Sequence, residues 1–85
     1  MTKHERIARD LQRLKDTGKL RLHDPEVWRL TIDTLPNGRY GVVIGYEVTL
    51  DHGDDLEPVC FIASWSAVIS EVTFFYTALE EIECL

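Results

Sequence analysis

The chain has 85 residues, 45% of them apolar and 28% charged, with a net charge of −6. Those figures fit one folded domain and exclude a disordered chain, a second core and a disulfide scaffold, which would need more cysteine than Cys60 and Cys84. The net negative charge also argues against non-specific contact with nucleic acid or anionic membrane, both of which repel it.

The charge is unevenly placed. Positions 1–22 carry Lys3, Arg6, Arg9, Arg13, Lys15, Lys19 and Arg21 against Glu5, Asp10 and Asp16, a net +4. Positions 23–85 carry Arg29 and Arg39 against twelve carboxylates, a net −10. A basic head thus precedes an acidic body. No basic-then-apolar leader opens the sequence, and no stretch of about 18 apolar residues occurs. The expectation is a soluble cytoplasmic protein with no membrane partner and with Cys60 and Cys84 as free thiols.

Thr2 and Glu5 have the spacing of a capping box, and Ile7, Leu11 and Leu14 form an apolar stripe with Ala8 beside it. Arg6, Arg9 and Arg13 fall opposite. Gly18 is suited to the left-handed residue that ends a helix. The pattern predicts a helix over 3–17. His23-Asp24-Pro25-Glu26 then reads as a turn starting at Asp24. Trp28, Leu30 and Ile32 alternate with Arg29, Thr31 and Asp33 as in a half-buried strand. Leu35-Pro36-Asn37-Gly38 reads as a turn.

The segment 40–50 is the clearest strand in the sequence. Tyr40, Val42, Ile44, Tyr46, Val48 and Leu50 are placed on one face, with Gly41 and Gly45 flanking Val43 on the other. After the polar loop 51–55, residues 57–64 read as a third strand that is apolar on both faces, with Pro58 tolerable at its start or on an edge. Val68, Val72, Phe75, Leu79 and Ile82 recur at helical spacing, with Ile69 and Tyr76 widening the stripe. They predict a helix over about 66–83 capped by Ser66. The many β-branched and aromatic residues in 68–77 leave open a strand to 76 followed by a short helix.

The expected fold is α+β: helix, three-stranded antiparallel meander, helix, in two layers. Its order of elements resembles that of double-stranded-RNA-binding domains. Such domains grip phosphates with a basic start to the second helix. Ser66, Ser70 and Glu71 stand there instead, so the resemblance is one of topology alone.

No catalytic constellation is legible. There is no nucleophile elbow, phosphate-cradling glycine loop or C-x-x-C pair. His23-Asp24 and Asp51-His52 sit at element boundaries, where Asp caps turns. Oxygen ligands do gather in the loop holding Asp51, His52, Asp54, Asp55 and Glu57, but not at the spacing of a calcium loop. No cofactor, metal or catalytic residue is therefore assigned, and the protein is expected not to be an enzyme.

The main clue is charge. Glu80, Glu81 and Glu83 crowd the negative end of the predicted last helix, where each is disfavoured by about 0.3–1 kcal/mol. Helix stability therefore does not account for them. They could be neutralised internally by the basic first helix. Alternatively, an acidic surface docks on a basic protein partner, with no direct contact to nucleic acid. The residues assigned to that contact are Asp51, Asp54, Asp55 and Glu57, or the terminal Glu80, Glu81 and Glu83, with Phe74, which falls outside the apolar stripe. Inhibition of a nucleic-acid-binding protein is the most concrete form of this expectation. Small acidic inhibitors encoded by phages, and immunity proteins, use the same physics. The alternative is an assembly module that homodimerises or docks through Phe74, Phe75 and Tyr76.

Overall fold

Thr2 and Gly18 bracket the first helix as their chemistry requires. In the computed structural model, which describes residues 1–36, 42–53 and 56–83, α1 spans Lys3–Thr17. The Glu5 N–H donates to Thr2 Oγ1 at 3.1 Å, and the Thr2 hydroxyl donates to Glu5 Oε1 at the same distance. Gly18 takes φ 79°, and its N–H donates to the Leu14 carbonyl at 2.8 Å. That left-handed residue is strained for anything but glycine and turns the chain directly into a strand.

This strand, β1 (Lys19–His23), is the main correction to the expected fold. The sheet has four strands, β1, β2 (Arg29–Pro36), β3 (Val43–Asp51) and β4 (Val59–Ala63), in the order β1-β2-β3-β4 and antiparallel throughout. Lys-Leu-Arg-Leu-His has no β-branched residue and no Phe, Tyr or Trp, so intrinsic preference does not announce it. Its alternation of Leu20 and Leu22 with charged residues is nevertheless the strand period. The fourth strand also removes the topological likeness to double-stranded-RNA-binding domains.

The turn at Asp24 is present and joins β1 to β2. Asp24 Oδ1 accepts the Glu26 N–H at 2.9 Å, and the Val27 N–H reaches the Asp24 carbonyl at 3.2 Å. Trp28 lies just before β2 rather than inside it. Leu35 and Pro36 belong to β2, with a register shift between them. The rest of the expected 35–38 turn, Asn37 and Gly38, lies outside the described residues, as do Tyr40 and Gly41.

The ladder places Leu20, Ile32, Val48 and Phe61 in one cross-strand row and Leu22, Leu30, Leu50 and Val59 in the next. These rows face the helices. Leu20, Leu30, Ile32 and Val48 are fully buried there with Leu14 of α1, and Ile7 of α1 packs in the same core. Burial of each such side chain is worth about 1.5–3 kcal/mol. The opposite face carries Lys19, Asp33, Glu47 and Ile62, then Arg21, Thr31, Thr49 and Cys60. Tyr46, Val48 and Leu50 lie on the helix side as expected. Val42 and Ile44 do not share their burial and are exposed, because this end of β3 runs on past the last pairing with β4, Tyr46 to Ala63. Gly45 is buried beside β4; a Cβ there would stand 3.4 Å from the Ala63 carbonyl and 3.5 Å from Ile62 Cγ2, which are ordinary contacts.

The last segment is one helix, α2 (Trp65–Glu83), and the strand-plus-helix alternative is overturned. Val68, Val72, Phe75 and Tyr76 are buried on its inner side. Tertiary burial of this stripe outweighs the strand preference of its β-branched residues. Its cap is Ser64, not Ser66: Ser64 Oγ accepts the Ala67 N–H at 3.3 Å, and the Ser64 carbonyl accepts the Val68 N–H at 3.0 Å. No helix is long and apolar enough to cross a membrane, among the described residues. The whole is a small α+β domain with both helices on one face of the sheet.

Candidate functional site at the acidic end

α2 runs antiparallel to α1, and contacts at three places fix its course. Trp65 meets Tyr46 at 5.4 Å between ring centroids and receives the Lys15 ammonium at 4.9 Å from its ring. Midway, Tyr76 meets Asp10. Near the far end, Lys3 Nζ stands 3.6 Å from Glu80 Oε2. The carboxy-terminal half of α2 therefore lies over the end of the sheet that carries the β1–β2 turn and the start of the β3–β4 loop. Phe74 stacks there on Trp28, with centroids 5.4 Å apart and planes at 28°, and His52 lies 5.8 Å from the same indole.

This geometry gathers acidic groups from three elements at one end of the molecule. Asp24 and Glu26 come from the β1–β2 turn, Asp51 and Glu57 from the ends of the β3–β4 loop, and Glu80, Glu81 and Glu83 from α2. The last three lie six to nine residues beyond Phe74, or about 9–13 Å along the helix axis. Glu57, Glu80, Glu81 and Glu83 are exposed. Asp51 is half-buried, pairs in register with Arg29, and accepts the Gly53 N–H at 2.9 Å, which shapes the loop. Asp54 and Asp55 lie outside the described residues. Phe74 is 61% exposed in spite of its stack on Trp28. Phe75 and Tyr76, which the assembly alternative also needs, are 2% and 7% exposed and serve the chain's own core.

The basic head neutralises this end only in part. Lys3–Glu80 is the one ion pair between the two helices' surfaces among the described residues, and surface pairs of this kind contribute about 0–1 kcal/mol. Glu81 and Glu83 make no ion pair within the described residues.

A cleft of about 230 Å³ opens beside the acidic end, lined by His23, Asp24, Trp28, Arg29, Asp51 and His52 among others. Trp28 Nε1 is buried without a hydrogen-bond partner among the described residues. Among the described residues no three His, Cys, Asp or Glu side chains converge as metal ligands would. Cys60 is an exposed free thiol, with the Thr49 hydroxyl 3.7 Å from its sulfur; Cys84 lies outside the described residues.

One buried polar link is not among the residues expected to matter. Asp10 is 1% exposed and sits between α1 and α2. The Tyr76 hydroxyl donates to its Oδ2, and Arg9 Nε donates to its Oδ1 at 3.2 Å. Burial, and then the hydrogen bond to Asp10, push the Tyr76 phenol up to about 12. The hydrogen bond and charge of Asp10 likewise raise the Arg9 guanidinium. The signal was available: Asp10 follows Ile7 by three and precedes Leu14 by four, so the apolar stripe of α1 contains a carboxylate.

Comparison with protein-family models, with curated proteins and with solved structures finds no match.

Proposed function

We propose that this is a small non-enzymatic cytoplasmic protein that docks its acidic end on a basic protein partner. In the most concrete form of this reading, the partner's nucleic-acid-binding surface is occupied and inhibited. The observation that carries it is the convergence of the β3–β4 loop and the end of α2 on one end of the domain. Separated in sequence, Asp51 and Glu57 on the one hand and Glu80, Glu81 and Glu83 on the other lie toward the same end of the domain, and in this reading they act together. Exposed Phe74 supplies an apolar anchor beside it, as aromatic residues do at interface centres.

Carboxylates held on a rigid frame present a field that a phosphate-binding channel attracts, and such association is fast and salt-sensitive. The test is capture from the host lysate at low and high salt by the native protein and by a Glu80→Lys, Glu81→Lys, Glu83→Lys variant, with Asp51→Lys, Glu57→Lys as a second variant. The expected result is a basic nucleic-acid-binding protein retained at low salt by the native chain, released at high salt, and lost or weakened with the variants. Its purified form should lose nucleic-acid binding when the native chain is added. Retention unchanged by both sets of reversals would sink the reading.

A further inference from the structure

The sheet's two edges differ in charge, and the difference selects a partner. β1 exposes Lys19, Arg21 and His23 along one edge. Charged side chains on an edge strand discourage a further strand from pairing. β4 is the other edge and reads Val-Cys-Phe-Ile-Ala, without a charge. Val59 is 52% and Ile62 65% exposed, and Cys60 is exposed as well. An exposed apolar edge of this kind is a template for strand addition.

We propose that β4 pairs antiparallel with β4 of a second copy of this chain, about a two-fold axis at Phe61, joining two four-stranded sheets into one of eight. This register sets Val59 opposite the partner's Ala63, Cys60 opposite the partner's Ile62, and Phe61 opposite the partner's Phe61. Every facing pair is uncharged. The same operation on β1 would set Arg21 opposite the partner's Arg21, like charges directly facing one another. Pairing β1 with β4 of another copy would be head-to-tail and would leave an edge open for continued growth, whereas the two-fold pair closes. Antiparallel pairing also sends the two acidic ends in opposite directions. Each lies beside the partner's α2 start, where Lys15 stands over Trp65. The repulsion between two chains of net charge −6 is thereby reduced.

The proposal is independent of the acidic-end reading, since no residue is shared between the two surfaces. Its test is the mass in solution by light scattering or sedimentation equilibrium, at up to about 1 mM chain. The expected mass is twice the 9.8 kDa of the chain, maintained in high salt. Ile62→Lys should return it to 9.8 kDa with an unchanged circular dichroism spectrum, since the new ammonium faces Glu47 across the ladder within the chain. In a Cys84→Ser background, Ile62→Cys should form an intermolecular disulfide to Cys60 under mild oxidation, and this reports the register. A protein monomeric over the whole range overturns the proposal. So does a dimer whose mass Ile62→Lys leaves unchanged.

Discussion

The two faces of the sheet share one backbone and differ in everything else. On the helix side, Leu20, Ile32, Val48 and Phe61 meet in one row and are covered by α1 and α2. One residue along, on the open side, Lys19, Asp33, Glu47 and Ile62 meet in a row that runs from basic through acidic to apolar. The covered row answers for stability and tolerates little. The open row answers for how the domain meets other molecules, because its charge grades across the strands to an uncharged edge at β4.

Substitution should separate the faces sharply. Leu30→Ala on the covered side removes a fully buried side chain from a central strand and should cost about 3 kcal/mol. For a domain this small, that lowers Tm by about 10–20 °C. Thr49→Ala, on the open side of β3, should change stability by less than about 1 kcal/mol in the same melting experiment. Equal losses at the two positions would mean that the open face is covered in solution.

The next largest effect lies between the helices. Asp10→Ala leaves the Tyr76 hydroxyl buried without a partner and opens a small void, at about 2–3 kcal/mol by urea unfolding. Tyr76→Phe should cost about 1–2 kcal/mol, since Arg9 still holds the carboxylate. Replacing both, with Asp10→Leu and Tyr76→Phe together, should recover much of the loss, as buried polar pairs exchanged for apolar ones often do. An Asp10→Ala, Tyr76→Phe double replacement as costly as the sum of those two singles would deny the coupling.

Tyr76 also gives the fold a dependence on alkaline pH. Its phenol titrates at about 12 in the folded chain against about 10 unfolded. The folded state thus holds its proton where the unfolded state has lost it. The contribution is complete below pH 10 and is lost as pH rises from about 10 to 12. A difference of that size is at most about 2–3 kcal/mol. Lysines titrate in the same range, so the readout is the difference between the native chain and Tyr76→Phe across that window. Parallel stability curves for the two would remove Tyr76 as the source.

How much of this was legible in the sequence depended on whether the signal was local. α1 was read to the residue because Thr2, Glu5 and Gly18 act on their own neighbours. β2, β3 and the core residues Leu30, Ile32, Val48 and Val72 followed from periodicity. β1 is not legible because Lys19–His23 is short and has low strand preference, and its pairing with β2 is what makes it a strand. The cap of α2 is Ser64 and not Ser66, because Ser64-Trp65-Ser66 offers several starts and only the tertiary contact of Trp65 selects between them. The candidate site was legible only as two separate clusters. Their convergence at one end is a property of α2 crossing back over the sheet, and no local pattern encodes it.

The smallest effect on the fold carries the most information about the acidic end. Removing the Lys3–Glu80 pair with Lys3→Ala should cost less than about 1 kcal/mol, and less again in high salt. Glu81→Lys and Glu83→Lys should move stability the other way. α2 has no basic residue in its last turn, so each reversal sets a cation where the helix dipole is negative, for a gain of about 0.3–1 kcal/mol. A residue that is retained for the fold should destabilise when reversed. A chain that becomes more stable as Glu81 and Glu83 are reversed, and at the same time binds its partner less well, would show that these carboxylates stand at a cost to the helix because something outside the chain uses them. If stability falls by more than about 1 kcal/mol instead, the carboxylates hold the domain together and their role is internal.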